Sequence, residues 1–132
     1  MADNPPSPGE TRPGLLRLLA VEDSATDARL LRLLLAGEGS TRFEVTLATS
    51  LTAALREIDR QTFDVVLLDL GLPESHGYET FARFQEVART VPTIVLSGLE
   101  DEELALRTVH EGAQDYLTKG TFDRQLLVRT VH

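Results

Sequence analysis

One short run near the middle of the chain, Val65–Asp69, most constrains the fold. Its first four residues, Val-Val-Leu-Leu, are uncharged and half of them are β-branched, which is typical of a strand buried on both faces of a parallel sheet. The run ends in the carboxylate of Asp69, and Gly71 and Pro73 then turn the chain. Because open α/β sheets place their chemistry at the carboxyl ends of strands, Asp69 is either a functional acid or a residue that merely caps a turn.

Four further runs have the length and composition of strands. The edge-like run Phe43–Ala48 alternates apolar and polar side chains, whereas the others are mainly apolar. Period-two alternation indicates a half-covered strand, and continuous apolar runs indicate buried ones. The predicted strands are Leu15–Val21, Phe43–Ala48, Val65–Leu68, Thr93–Leu96 and Asp115–Thr118.

Helical patterns separate these strands, and most of them begin with a capping residue. Ser24, Ser50 and Asp123 are placed to cap the first, second and fifth helices, and Asp27 follows Ser24 as a short variant of a capping box. The first helix should reach about Ala36 and end at Gly37 and Gly39, and Arg124 should begin the last. The third helix is marked by Phe81, Phe84, Val87 and Ala88 before Pro92, and the fourth runs from the acidic stretch Glu100–Glu103 to Gly112.

The alternation of five strands with five helices predicts an α/β fold. Right-handed crossovers then give a doubly wound parallel sheet with helices on both faces. We expect the flavodoxin-like (βα)5 arrangement with strand order 2-1-3-4-5, whose switch point lies beside the first and third strands.

Composition restricts the class of function. The formal net charge of −8 leaves no basic patch for direct binding of nucleic acid. The absence of cysteine excludes disulfides and thiolate metal sites. No apolar run is long enough to span a bilayer, and the N-terminus lacks the order of a signal peptide. We therefore expect a cytoplasmic protein that does not contact membranes.

The two ends of the chain differ from its middle. Residues 1–14 contain four prolines and almost no apolar side chains, so we expect a disordered tail followed by one domain over residues 15–132. The last helix stops at Val131-His132, soon after its first apolar pair, and it looks cut short. We therefore expect the sequence to be part of a longer protein.

Several polar residues directly follow the predicted strands. Taken singly, they have ordinary explanations as loop acids, a turn residue or a solvated lysine. In the predicted topology, however, they converge on one rim of the sheet, and such a set is improbable as chance surface polarity. These residues are Glu22, Asp23, Asp69, Ser97 and Lys119.

This set resembles the receiver domain of bacterial two-component response regulators, the CheY-like fold. The resemblance covers the chain from about Leu15 onward, and the spacing between Ser97 and Lys119 also matches it. The motifs that carry it are Glu22-Asp23, Asp69 followed by Pro73 and Gly77, Ser97-Gly98, and Tyr116-Leu117-Thr118-Lys119 after Gly112-Ala113.

The resemblance implies a role for each residue. Asp69 would accept a phosphoryl group from a histidine kinase or phosphotransfer protein, Lys119 would be the essential lysine, and Ser97 and Tyr116 would be the switch residues. The chain would thus catalyse only its own phosphorylation and dephosphorylation. Mg²⁺ would relieve the repulsion among clustered carboxylates, held by Glu22, Asp23, Asp69 and the backbone carbonyl of Gly71.

The resemblance also implies partners. Receivers with a Lys-Gly pair often precede an output domain, so we expect one in the same full-length chain. A homodimer is a further possibility, with Arg107 and the acids that flank the fourth helix at its interface, although exposed charges are more often simply solvated.

The sequence departs from the family pattern at three positions. Gly120 replaces the proline that commonly follows the lysine, and because a cis bond before a non-proline residue costs about 2.5 to 4 kcal/mol, we predict a trans Lys119-Gly120 peptide. Glu22 replaces a more common aspartate, so its metal contact is expected to be direct or through water. Gly71 has no side chain to hold a hydrolytic water, which leaves the lifetime of the acyl phosphate open.

Three alternatives share parts of this pattern. A flavodoxin-type mononucleotide binder has the same topology, but Glu22-Asp23 would repel a phosphate after the first strand. A haloacid-dehalogenase-like phosphatase needs a second acid two positions after its nucleophile, where this chain has Gly71. A receiver that no longer accepts phosphate and acts as a docking module stays open.

Overall fold

The structure is a computed structural model that describes residues 15–36, 42–72 and 77–131. Within these ranges, parallel strands alternate with α-helices, and a short 3-10 helix, Leu99–Asp101, precedes the fourth α-helix. The strands are β1 Leu15–Val21, β2 Arg42–Ala48, β3 Val65–Asp69, β4 Thr93–Ser97 and β5 Asp115–Thr118. The helices are α1 Ala25–Leu35, α2 Leu51–Arg60, α3 Gly77–Val87, α4 Glu102–His110 and α5 Arg124–Val131.

The sheet has the strand order β2-β1-β3-β4-β5, and all neighbouring strands are parallel. The predicted fold class and order are therefore confirmed. The register pairs Val21 with Leu68, Asp69 with Leu96 and Ser97 with Thr118. The carboxyl ends of β1, β3, β4 and β5 consequently meet at one rim of the sheet.

Alternating strand residues supply two separate cores, one on each face of the sheet. In β1, Leu19 and Val21 belong to one core, while Leu18 and Ala20 belong to the other. The first core also contains Phe81 and Phe84 of α3. The second contains side chains from α1 and α5, namely Leu31, Leu35 and Leu127. Both faces of the central strand β3 are buried in this way, as its uncharged sequence predicted.

The predicted N-caps of three helices are present. The Ser24 hydroxyl accepts a hydrogen bond from the Asp27 amide at 3.3 Å, and the Ser50 hydroxyl accepts one from the Ala53 amide at 3.0 Å. The Asp123 carboxylate accepts one from the Leu126 amide at 2.9 Å. These bonds satisfy amides at helix starts that have no partner within the helix.

The helix α3 differs from its predicted apolar face at one position. Phe81, Phe84 and Ala88 are buried, but Val87, which the spacing groups with them, is 55% exposed. At 3.6 residues per turn, Val87 lies about 120° around the helix axis from Phe81. It therefore points away from the core.

Some predictions fall outside the described residues. These are the disordered tail at residues 1–14, the terminating glycines Gly37 and Gly39, the turn at Pro73, and the chain end at His132. Within the described part of the chain, no helix combines the length and the apolar character needed to cross a bilayer.

Candidate functional site

Three carboxylates meet where β1 and β3 end. Glu22 and Asp23 follow β1, and Asp69 ends the neighbouring strand β3. One carboxylate oxygen from each of the three lies within 4.8 Å of the other two. Glu22 and Asp69 are buried, with 1% and 2% of their surface exposed, whereas Asp23 faces solvent. The predicted convergence of these acids is therefore present in the structure.

Both oxygens of Asp69 are held in place. Its Oδ1 accepts a hydrogen bond from the Gly71 amide at 2.8 Å, and its Oδ2 accepts one from Lys119 Nζ at 2.7 Å. A Cβ atom at Gly71 would lie 3.3 Å from Oδ1, which is a close contact. A glycine thus lets the turn after β3 approach the carboxylate closely.

Lys119 reaches the acids from the end of β5. Its Nζ lies 2.7 Å from Asp69 Oδ2, 3.0 Å from Glu22 Oε2 and 3.2 Å from Asp27 Oδ2. The next residue, Gly120, has a φ of +80°, a value that proline cannot adopt. No cis peptide bond occurs in the described ranges, so the predicted trans Lys119-Gly120 peptide is confirmed.

The electrostatics of the cluster depend on its burial. Burial raises the pKa of Glu22 to about 7, and its contact with Asp69 adds to this shift, while the Ser24 amide and Lys119 oppose it. The Ser24 amide donates to Glu22 Oε1 at 3.1 Å. Burial lowers the pKa of Lys119, but its hydrogen bond to Asp69 and its ion pair with Glu22 outweigh that effect and raise the pKa overall. The site therefore carries closely spaced acids and a firmly protonated lysine.

The donor set fits a divalent, oxygen-binding cation. Glu22 Oε2 is buried and pairs with Lys119, yet it makes no hydrogen bond. Carboxylate oxygens are the ligands that Mg²⁺ takes in proteins, and it usually completes its shell with water. Asp23 is exposed, so one of the three carboxylates is open to solvent.

The hydroxyl of Ser97 lies at the end of β4, the strand next to β3. The residue is 1% exposed, and its Oγ atom is buried without a hydrogen-bond partner. An unpaired buried hydroxyl is costly, and a functional role is one explanation for it. This observation favours a functional hydroxyl over a simple turn residue.

Tyr116 in β5 points toward α4. Its hydroxyl donates to Glu102 Oε1 at 3.3 Å, and the side chain is half-buried. The structure therefore shows the aromatic residue in contact with the first turn of α4.

Sequence reasoning missed the role of Asp27. Its amide donates to the Ser24 hydroxyl as expected for an N-cap, but the predicted reciprocal bond of a capping box is wrong, because the Ser24 amide donates to Glu22 and the Asp27 carboxylate pairs with Lys119. A signal was available, since Asp27 lies in the first turn of a helix that starts at the functional rim.

Arg107 also has a contact that the sequence did not indicate. Its guanidinium carbon lies 3.8 Å from the ring centroid of Tyr78, so a cation–π contact joins α4 to the start of α3. The predicted place of Arg107 in a homodimer interface stays a prediction.

Comparisons with known proteins agree with this geometry. The family model of the response regulator receiver domain matches residues 18–132. The KDP operon transcriptional regulatory protein KdpE of Escherichia coli is 38% identical over 105 residues, covering 80% of this chain and 45% of KdpE. The sensory transduction protein RegX3 of Mycobacterium tuberculosis is 38% identical over 112 residues, covering 85% and 48%. The chain thus spans less than half the length of these curated relatives.

Solved structures show the same similarity. A receiver domain from Clostridium thermocellum superposes with a TM-score of 0.76 at 27% identity, covering 88% of this chain and 90% of that one. Full-length FixJ from B. japonicum gives a TM-score of 0.76 at 27% identity, covering 88% of this chain and 55% of FixJ. Sequence, fold and the geometry at the strand ends therefore agree, and the chain belongs to the response regulator receiver domain family.

Proposed function

We propose that this chain accepts a phosphoryl group on Asp69 from a histidine kinase or a phosphotransfer protein, with Mg²⁺ as the cofactor. The modified form then changes the contacts of an output domain or another partner. One observation carries the proposal: Lys119 Nζ lies 2.7 Å from Asp69 Oδ2 and 3.0 Å from Glu22 Oε2, beside three converging carboxylates. An ammonium group and a metal site on one strand-end aspartate suit phosphoryl transfer.

The residues that would hold the metal are Glu22, Asp23 and Asp69 through their side chains and Gly71 through its backbone carbonyl. When bound, Mg²⁺ neutralises negative charge on the phosphoryl oxygens and so lowers the repulsion that opposes the approach of a carboxylate.

The chain's own residues perform the remaining steps. A carboxylate oxygen of Asp69 forms a bond to phosphorus as the bond from phosphorus to the donor's imidazole nitrogen breaks, and the electron pair stays with that imidazole. The Gly71 amide keeps the carboxylate oriented through its 2.8 Å bond. Lys119, as a compact cation, compensates a phosphoryl oxygen that approaches Asp69.

The readout of this reaction would use Ser97 and Tyr116. The unpaired Ser97 hydroxyl would hydrogen-bond the new phosphoryl group. Its movement would leave space near β4, and the Tyr116 ring would exchange its bond with Glu102 for an inward position. Because the phosphoryl group contacts the second arrangement better, it shifts the population toward that arrangement.

The partners follow by analogy with the relatives. KdpE is named as a transcriptional regulatory protein and RegX3 as a sensory transduction protein, and each is more than twice as long as the part that this chain matches. We propose that an output domain lies in the same full-length protein, and that a cognate histidine kinase supplies the phosphoryl group.

Incubation with Mg²⁺ and acetyl phosphate tests the proposal, with intact mass as the readout. We expect the mass of one phosphoryl group to be added to the native chain and to an Asp115→Asn control, which removes an exposed aspartate at the start of β5. Asp69→Asn should stay unmodified. Beryllium fluoride with Mg²⁺ should shift the NMR resonances of Ser97 and Lys119. A native chain that shows neither the added mass nor these shifts would instead be a docking module that does not accept phosphate.

A further inference from the structure

Lys119 has a third carboxylate partner that lies outside the metal-binding acids. Asp27, in the first turn of α1, places Oδ2 at 3.2 Å from Lys119 Nζ. Its side chain is 42% exposed, against 0% for Glu22 and 3% for Asp69. Among the described residues, the acids close enough to share a metal are Glu22, Asp23 and Asp69, and Asp27 is not one of them.

Lys119 has as many carboxylate partners as it has N–H donors. An ammonium group has three N–H donors, and Lys119 has three carboxylate oxygens within 3.2 Å. Hydrogen bonds to Asp69 and Asp27 engage two of these donors, and Glu22 is an ion-pair partner at 3.0 Å without a hydrogen bond. A phosphoryl oxygen therefore approaches an ammonium group that three carboxylates already surround, and we expect these contacts to loosen when it binds.

The three partners would not be released equally. If Glu22 and Asp69 serve as metal ligands, their charge is shared with a dication, and their attraction for Lys119 weakens. A bond between Asp69 and phosphorus further weakens the attraction between the Asp69 carboxylate and Lys119. Asp27 keeps its full charge for Lys119 through both events.

The surroundings of the pair strengthen it. Asp27 and Lys119 line a small crevice together with apolar side chains of α1 and of the segment after β5, including Leu30, Leu34 and Phe122. Ion pairs beside apolar surface are screened less than those in open water. Asp27 can thus hold Lys119 more firmly than a fully solvated acid could.

We propose that Asp27 is a positioning residue for Lys119. It keeps the ammonium at the rim of the site while the metal and the phosphoryl group occupy Glu22 and Asp69, and so keeps α1 joined to the end of β5 in the phosphorylated form. This inference rests on the function proposed above and adds a residue that lies outside the family motifs of this sequence.

A double-mutant cycle tests the inference through the rate of modification by acetyl phosphate at saturating Mg²⁺. Asp27→Asn should slow the reaction about tenfold in the native background, but less than about twofold when Lys119 is already Met, because coupled residues show non-additive effects. Asp27→Glu keeps the negative charge that Asp27→Asn removes, so this variant should retain most of the native rate. Asp59→Asn, an exposed aspartate of α2 near its C-terminal end, should have no effect.

A second readout does not depend on phosphorylation. With Mg²⁺ and no phosphodonor, NMR signals of the Lys119 ammonium should report an ordered group in the native chain and a mobile one in Asp27→Asn. Equal order in the two proteins, or an equal slowing by Asp27→Asn in both backgrounds of the cycle, would overturn the role of Asp27 alone. A native chain that no phosphodonor modifies would overturn the proposed function and this inference together.

Discussion

The two halves of the site differ in how fully their polar groups are paired. On the acidic half, Asp69 has a partner on each oxygen, and Lys119 contacts three carboxylates. On the other half, the Ser97 hydroxyl is buried without a partner, and Tyr116 is bonded to Glu102 at the protein surface. The two halves interleave along the sheet, because Ser97 ends β4 between the strands of Asp69 and Lys119, and Tyr116 lies in β5, which leads into Lys119.

In the function proposed above, this difference separates the residues of the chemical step from those of its readout. Groups that must stabilise developing charge work best when they are oriented beforehand, because reorientation during the reaction costs free energy. A switch instead needs groups that gain contacts only in one of its two states. The paired acids and lysine meet the first condition, and the unpaired serine meets the second.

The largest expected effect tests the acidic half of the site. Lys119→Met should slow modification of Asp69 by acetyl phosphate about 100-fold, the loss typical when an electrostatic contact to a transferring group is removed. Rates would be measured by intact mass at saturating Mg²⁺. Arg129→Met, which removes an exposed cation of α5, is the matched control and should leave the rate unchanged. A rate within about twofold of the native one would contradict the role of Lys119.

A smaller effect is expected from pH, through Glu22. Its pKa is raised from 4.5 to about 7 by burial and by Asp69, so Mg²⁺ must displace a proton from it near neutral pH. The apparent affinity for Mg²⁺ should therefore fall up to about tenfold per pH unit below about pH 7. NMR titrations of Mg²⁺ at several pH values would measure this. In Glu22→Gln, the dependence should flatten, and an equally steep dependence there would assign it to another group.

The raised pKa of Glu22 also predicts how the stability of the metal-free chain depends on pH. A group whose pKa is higher in the folded state contributes stability that is complete below its unfolded value of 4.5 and is lost as pH rises through about 7. The free energy of unfolding in urea with chelator should accordingly decrease over this range for the native chain more than for Glu22→Gln. Added Mg²⁺ should offset the loss.

The smallest expected effect tests the other half of the site, which contains Ser97. Ser97→Ala removes a hydroxyl that has no hydrogen-bond partner, so the free energy of unfolding should change by less than about 1 kcal/mol. Thr108→Val is the control, because the Thr108 hydroxyl is buried and donates to the Ala105 carbonyl at 2.6 Å, and its loss should cost more. Urea denaturation would compare the two.

The same variant should separate modification from readout. Ser97→Ala should still be phosphorylated, whereas the NMR shifts that follow at Tyr116 and in α4 should be lost. If those shifts persist unchanged, Ser97 does not couple the phosphoryl group to the aromatic residue.

Much of the fold was predictable because its signals are local. Strand runs, capping serines and turn residues act over a few positions, and β1 and β5 were predicted with the bounds that the structure shows. Errors occurred where a residue had more than one use for its side chain or lay at the edge of a pattern. Val87 has helical spacing but ends α3 on its exposed side, and Asp27 fits a capping box but gives its carboxylate to Lys119.

The sequence alone determined which side chains follow the strands, and the parallel topology it implies brings Glu22, Asp23, Asp69, Ser97 and Lys119 to one rim. Only the tertiary structure decided how these groups are paired, since the distances from Lys119 to Glu22, Asp69 and Asp27 depend on how the ends of β1, β3 and β5 and the start of α1 pack together. The physical reason is one of range. Backbone preferences are set by neighbouring residues, whereas the pairing and pKa of a buried charge are set by residues that are distant in the chain and meet only after folding.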